Sequence, residues 1–123
     1  MSWFKCSVGR KKEIIISGFS CGAPNKGGAY GGASFTIPLD GKFKTCNIEE
    51  LKAYGSAGSY SFRGYDENGN VLVQDDIGDG GSTIYTKTYN ITGCYKLSFS
   101  IRIGQPVPVN PQMGGYLKNI VIR

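Results

Sequence analysis

Carboxylates are the main side chains in this sequence that could carry acid–base chemistry near neutral pH. The chain contains no histidine, which excludes Ser-His and Cys-His nucleophilic pairs and the commonest proton shuttle. Hydrolysis would therefore need two facing carboxylates, as in glycosidases. Many of the nine acidic residues lie in turn-like sequences, where aspartate stabilises the turn itself. We therefore expect a protein without catalytic activity, and a small glycosidase-like enzyme is the catalytic alternative.

One group of acids could bind a metal ion. Asp75, Asp76 and Asp79 lie in a stretch that is rich in glycine and runs to Ser82, so we predict an acidic loop there. Carboxylates together with backbone carbonyls are the ligands that Ca²⁺ prefers. The composition is more typical of a solvated loop. The sequence therefore predicts no cofactor, with a structural calcium ion as the alternative.

Three tyrosines are candidates for ligand contact because they lie in loops or at strand ends. Tyr30 falls in a glycine-rich stretch, Tyr65 flanks a predicted hairpin, and Tyr116 follows a proline-rich stretch. Aromatic faces pack against the apolar faces of pyranose rings, while polar neighbours bond the sugar hydroxyls. These rings could equally fill space beneath the loops. Sugar binding and loop packing both remain open for them.

The cysteines are spaced too widely for a zinc site. No Cys-x-x-Cys pair occurs and histidine is absent, whereas structural zinc sites use closely paired ligands. Four cysteines permit three disulfide pairings, and the sequence does not choose among them. Reduced and mostly buried thiols are expected, because no secretory signal is evident. The four residues are Cys6, Cys21, Cys46 and Cys94.

The basic character of the chain is dispersed. The net charge is +5 and the isoelectric point is about 9.1, but the basic residues cluster only at 10–12. A nucleic-acid partner is not expected, because such proteins concentrate their cations on one element. No apolar run approaches the roughly 18 residues of a membrane span, and the N-terminus lacks the pattern of a signal peptide. We expect the protein to act where it is made or to leave the cell within a particle.

The stretch from Gly93 to Gly104 gives the strongest structural signal. Apolar residues occupy every odd position from Tyr95 to Ile103, and polar residues occupy every even position from Lys96 to Arg102. This period of two predicts a strand with one buried and one exposed face. The sheet should therefore be antiparallel, with one side buried in the core and the other exposed to solvent.

The polar side of that strand has two interpretations. Lys96 and Arg102 enclose the small residues Ser98 and Ser100. The row could be an ordinary solvated face. Together with Arg63 from another strand, it could also be a flat docking surface for a partner subunit. The sequence leaves both interpretations open.

Turn signals predict the order of the other strands. Asn68-Gly69 and Asp40-Gly41 are hairpin sequences. Residues 47–54 fit either a two-turn helix or a strand, and we favour the strand because so short a helix is marginal without tertiary support. We also predict a strand over 3–8, a strand over 13–17 that is buried on both sides, a long loop over 18–32, and a closing strand over 116–123.

Eight to ten short strands with almost no helix predict an all-β fold. The spacing favours an antiparallel β-sandwich, of jelly-roll type. A chain of 123 residues is expected to form one domain over 1–123. The alternation of glycine turns with β-rich runs, and not any catalytic motif, is therefore the dominant information in this sequence.

The segment from Tyr60 to Arg102 resembles β-sandwich modules of bacteriophage virion and tail accessory proteins. The resemblance rests on Phe62–Leu72 and on Tyr95–Ser100, and such modules are similar to carbohydrate-binding jelly rolls. It implies a non-catalytic virion component that contacts other subunits, as a homo-oligomer or beside virion neighbours, and that can contact surface glycans. The alternative is a secreted carbohydrate-binding module, which would be extracellular.

Overall fold

The computed structural model describes residues 13–24, 26–54, 56–78, 83–105 and 114–123. The described residues form strands and turns without a helix. No described helix is therefore long and apolar enough to cross a membrane. The strands are β1 (Ile14–Cys21), β2 (Tyr30–Pro38), β3 (Thr45–Tyr54), β4 (Ser56–Tyr65), β5 (Val71–Gly78), β6 (Tyr85–Asn90), β7 (Lys96–Gly104) and β8 (Gly114–Ile122).

The strands form two antiparallel sheets of four strands each. Sheet I has the order β1-β8-β3-β6, and sheet II has the order β2-β7-β4-β5. Consecutive strands in the chain therefore mostly alternate between the sheets, which is the connectivity of a jelly roll. The predicted all-β sandwich of jelly-roll type is confirmed.

The core lies between the two sheets and follows the alternation of the strands. In β7, Leu97, Phe99, Ile101 and Ile103 are buried, while Arg102 is exposed. The same pattern in β3 and β8 supplies the facing side of the core. The fully buried large side chains are Tyr60, Phe62, Phe99, Ile48, Leu51, Ile91, Leu97, Ile101, Ile103, Leu117, Ile120 and Ile122.

A row of aromatic rings crosses this core from one side to the other. Phe19 of sheet I meets Phe35 of sheet II edge-on, with ring centres 4.9 Å apart. Phe35 stacks on Phe99 at 4.9 Å, and Phe62 stacks on Tyr89 at 4.0 Å. Such pairs stabilise a core by about 0.5–1.5 kcal/mol each beyond the area that they bury. The row therefore fixes the relative position of the sheets.

Tyr95 is not part of the core, contrary to the alternation that placed it there. Strand β7 begins one residue later, and Tyr95 is 39% exposed. Its backbone serves as a junction, since its N–H donates to the carbonyl of Tyr65 and its carbonyl accepts from Leu39. The ring packs over Gly41, where an added Cβ would lie 2.6 Å from it. The turn before β7 thus interrupts the period of two.

The predicted Asp40-Gly41 hairpin is wrong. Strand β2 belongs to sheet II and β3 to sheet I, so the segment between them is a corner that crosses from one sheet to the other. Gly41 has a φ of 79°, which suits the left-handed backbone that this corner needs. A glycine turn sequence alone does not distinguish a hairpin from a crossing of this kind.

The N-terminal predictions are corrected in two respects. Strand β1 lies at the edge of sheet I, and Ile15 is 68% exposed, so 13–17 is not buried on both sides. Residues 18–21 continue β1 and residues 30–32 begin β2, so the predicted loop over 18–32 is much shorter. The glycines there allow close backbone approach within strands.

Several other expectations are confirmed. Residues 47–54 form strand, and Asn68-Gly69 closes the β4–β5 hairpin with Gly69 at a φ of 84°. The closing strand is β8. The described cysteines, at 21, 46 and 94, are free thiols, and the last two are buried. Cys6 and the predicted strand over 3–8 lie outside the described residues.

Candidate binding face

The outward side of sheet II collects polar side chains from all four of its strands. We call this surface the polar face. Its middle is a row in which Ser34, Ser100, Ser61 and Asp76 lie side by side across β2, β7, β4 and β5. The rows beside it add Gly32, Thr36, Ser59, Arg63, Gln74, Gly78, Ser98 and Arg102, and the outermost positions are Tyr30, Pro38, Tyr65 and Lys96.

The middle of the polar face consists of small side chains, which project little from the sheet and carry hydroxyl groups. Ser34, Ser61 and Ser100 meet there in register. The face follows from the sequence, because outward positions alternate with the buried ones in every strand. Serine hydroxyls both donate and accept hydrogen bonds, so the row can bond a polar ligand that lies along the sheet.

An aromatic ring paired with a cation stands at each end of the polar face. The guanidinium carbon of Arg102 lies 4.5 Å from the centre of the Tyr30 ring, and the ammonium nitrogen of Lys96 lies 4.5 Å from that of Tyr65. Both distances are within the range of cation–π attraction. Lys96 and Arg102 are six positions apart in β7, which is about 20 Å along the strand. The two pairs therefore flank the serine row.

A shallow depression opens beside the first of these pairs. Its volume is about 410 Å³, and Tyr30, Gly32, Ser34, Ser100 and Arg102 are among its lining residues. Gly32 lies opposite Arg102 in the register and has no side chain to fill the space. Tyr30 is 53% exposed, so its ring is accessible at the rim.

Arg63 and Asp76 neutralise each other within the polar face. Two guanidinium nitrogens of Arg63 donate to the two carboxylate oxygens at 2.9 and 3.0 Å, and the Ser61 hydroxyl donates to the same carboxylate at 2.9 Å. The bonds from Arg63 and Ser61 hold the pKa of Asp76 below its usual range. The positive charge of Arg63 is therefore already paired with Asp76 and is not available as a free cation.

Five of the residues predicted for ligand or partner contact meet on the polar face. They are Tyr30, Tyr65, Arg63, Lys96 and Arg102. The alternation of β7 predicted that Lys96 and Arg102 face outward, whereas Tyr30 and Tyr65 were predicted to lie in loops or at strand ends. The sequence did not show that two tyrosines and three cations share one sheet. The serines of β2 and β4 were not identified, although their period of two was a usable signal.

Tyr116 lies elsewhere. It belongs to β8, within sheet I, and its hydroxyl donates to Glu50 at 3.2 Å. Its desolvation, together with the Glu50 carboxylate, raises the pKa of Tyr116. It faces outward from sheet I, as Lys52 beside it does. Tyr116 and the polar face are therefore on opposite sides of the sandwich.

The acidic stretch is strand and not loop at its first two residues. Asp75 and Asp76 belong to β5 and point to opposite sides of sheet II, so one cation cannot bind both carboxylates. Asp75 accepts a hydrogen bond from the Tyr89 hydroxyl at 2.8 Å and pairs with Lys87 at 3.1 Å. Asp79 lies outside the described residues. In the described ranges, no three His, Cys, Asp or Glu side chains come together as a metal site.

No protein-family model matches the sequence, and no curated protein matches it. Solved structures of similar fold do exist. A CBM61 carbohydrate-binding module, solved in complex with β-1,4-galactotriose, is 8% identical with a TM-score of 0.50, and the match covers 90% of this chain and 81% of that one. At this identity the likeness shows the fold alone.

Two other solved structures resemble the chain. The enzymatically active domain of tailspike protein 4 of bacteriophage CBA120 is 18% identical with a TM-score of 0.46; the match covers 90% of this chain but only 17% of that one. The K3 cleaved adhesin domain of Lys-gingipain from Porphyromonas gingivalis is 14% identical with a TM-score of 0.49, over 85% of this chain and 71% of that one.

Proposed function

We propose that the polar face binds surface glycans and that the protein does so without catalysing a reaction. The observation that carries the proposal is that Tyr30 and Tyr65 lie on either side of the row of serine hydroxyls, near opposite ends of the strands. Aromatic rings can pack against the apolar faces of sugars, and hydroxyls between them can bond the sugar hydroxyls. A flat and open face of this form suits an extended oligosaccharide.

The carboxylates of the polar face favour binding over hydrolysis. Asp76 is the only carboxylate on the described part of the face, and Arg63 and Ser61 already bond it. Glycosidases use two carboxyl groups on either side of the bond that they break. A lone carboxylate held by an arginine lacks a partner for this chemistry. The proposal of a non-catalytic protein rests on this arrangement.

The proposed setting is a virus particle, where the protein would be a decoration or tail-associated component. The resemblance of Phe62–Leu72 and Tyr95–Ser100 to virion accessory sandwiches supports this setting. A secreted carbohydrate-binding module is the alternative, and the CBM61 module solved with galactotriose is a precedent for glycan binding on a similar fold. Both settings use the same face and the same kind of ligand.

A glycan array tests the proposed activity. The labelled protein should bind a defined set of glycans, and Tyr30→Ala and Tyr65→Ala should each weaken that binding. Tyr116→Ala is the matched control, because it removes a tyrosine from the outward side of sheet I and should leave binding unchanged. Binding by none of the proteins, or equal loss in the control, would contradict the proposal.

The polar face could instead be a docking surface between protein subunits. Its flat serine rows, with Lys96 and Arg102 at the ends, are the observation that favours this second candidate. Light scattering after size-exclusion chromatography distinguishes the two. A symmetric oligomer that Lys96→Glu and Arg102→Glu convert to monomers, with no glycan bound, would support the docking surface.

A further inference from the structure

We infer that the glycan recognised by the polar face is acidic, carrying carboxylate or sulfate groups. This inference rests on the proposed function and adds the chemical class of the ligand. Lys96 and Arg102 each lie over a tyrosine ring at 4.5 Å, and neither forms an ion pair with a carboxylate among the described residues. Two cations are thus held in place without a counter-charge at the ends of the face.

Among the described strands, the outward side of sheet II carries the excess of positive charge. On the polar face, Arg63 and Asp76 cancel each other, which leaves the charges of Lys96 and Arg102. The outward side of sheet I carries two acids and two bases in neighbouring strands, namely Glu49, Glu50, Lys52 and Lys118. Counted over these described side chains, the polar face carries the larger net positive charge.

The placement of the cations suits a glycan chain of several rings. Lys96 and Arg102 are about 20 Å apart along β7, which is farther than the Debye length of about 10 Å at 0.1 M salt. Each cation therefore attracts a separate negative group. Each cation lies over one face of its tyrosine ring, so a sugar ring that packs on the uncovered part of the tyrosine brings its charged group next to the cation. A polymer with repeated acidic groups meets both points at once.

The same features fit a nucleic acid less well. A nucleic-acid strand carries a phosphate at every nucleotide and is bound by grooves of continuous positive charge. Between Lys96 and Arg102, the polar face offers serines and an arginine that is neutralised by Asp76. A ligand rich in hydroxyls with widely spaced charges matches this pattern better.

The test compares glycans that differ only in charge. Calorimetric titrations would use de-esterified homogalacturonan oligosaccharides against their methyl esters, and a sulfated carrageenan oligosaccharide against its desulfated form, with a single-stranded oligonucleotide alongside. We expect at least one acidic member to bind more tightly than its neutral form. Lys96→Gln and Arg102→Gln should each weaken that binding about fivefold, and should each lower the slope of log affinity against log salt by about one.

Lys52→Gln, on sheet I, is the matched control and should change neither quantity. For a long oligosaccharide, the fold-loss of affinity in the double variant should equal the product of the fold-losses in the two single variants, because the two sites are far apart. Equal binding of acidic and neutral forms that still depends on Tyr30 would overturn the acidic ligand and leave the proposed function standing. No glycan binding at all would overturn both, and tighter binding of the oligonucleotide would assign the face to nucleic acid.

Discussion

Tyr89 donates its hydroxyl hydrogen to Oδ2 of Asp75 at 2.8 Å, and this bond joins an edge strand of sheet I to an edge strand of sheet II. Because Tyr89 donates to the carboxylate, the buried Tyr60 hydroxyl, 2.9 Å away, donates to Tyr89. Lys87 pairs with the same carboxylate oxygen at 3.1 Å. A chain of polar groups thus closes the side of the sandwich where β5 and β6 face each other. Burial raises the pKa of both phenols, so both stay protonated.

Removing the Tyr89 hydroxyl should cost more stability than removing that of Tyr60. Tyr89→Phe breaks both bonds and leaves the Tyr60 hydroxyl buried without a partner, which should lower the free energy of unfolding by about 1–3 kcal/mol. Tyr60→Phe keeps the Tyr89–Asp75 bond and should cost about 0.5–1.5 kcal/mol. Urea unfolding with an unchanged m value measures both. Equal or reversed losses would contradict the order of donors described here.

Gly18 should tolerate alanine far less well than Gly69. Both have positive φ, 136° and 84°, so each substitution adds backbone strain. At Gly69 an added Cβ would meet nothing within 4 Å, whereas at Gly18 it would overlap the carbonyl oxygen of Leu117 on the adjacent strand. We expect Gly69→Ala to cost about 1–2 kcal/mol and Gly18→Ala about 1–3 kcal/mol more, measured by thermal or urea unfolding. Similar losses would show that β8 can move away from β1.

Stability should fall on acidification in a way that depends on Asp66. The backbone N–H of Asn70 donates to Oδ1 at 2.8 Å, its side-chain amide donates to Oδ2 at 3.1 Å, and the N–H of Asn68 adds a bond at 2.9 Å. The bonds from Asn70 first, with that from Asn68, lower the pKa of Asp66. The contribution is therefore present above the unfolded-state pKa of about 3.9 and is lost as the pH falls through the lower folded value.

The measurement is the free energy of unfolding as a function of pH, from about 5 to about 2.5. Carboxylates titrate in this range. Asp66→Asn should flatten this profile relative to the unsubstituted protein. Glu67→Gln is the control, because Glu67 is exposed in the same turn and should leave the profile unchanged. An unaltered slope in Asp66→Asn would mean that the turn bonds do not depend on the charge.

The fold could be predicted from sequence because each strand and tight turn has a local sequence pattern. The alternation of Leu97 to Ile103 and the Asn68-Gly69 turn depend only on neighbouring residues. The pairing of strands could not be predicted in the same way. The sequence did not reveal that the corner at Gly41 crosses between sheets, because a turn residue specifies backbone conformation and not the destination of the chain.

The candidate site was predictable residue by residue but not as a surface. Outward positions in a strand follow from the period of two, which placed Lys96 and Arg102 correctly. That Tyr30 and Tyr65 lie beneath them depends on the register of β2 and β4 against β7, which non-local pairing decides. Tyr95 and Asp75 were misplaced because the local sequence gave the wrong strand boundaries. Strand β7 begins after Tyr95, and β5 continues through Asp75.

The central claim, that the polar face binds glycans, is tested most directly by a chemical-shift titration of the ¹⁵N-labelled protein with an acidic oligosaccharide. The account predicts that the shifted amides lie in β2, β7 and β4 around Tyr30, Ser100 and Tyr65, with the amides around Tyr116 unchanged. No shift with any acidic or neutral oligosaccharide, or shifts centred on the outward side of sheet I, would contradict it.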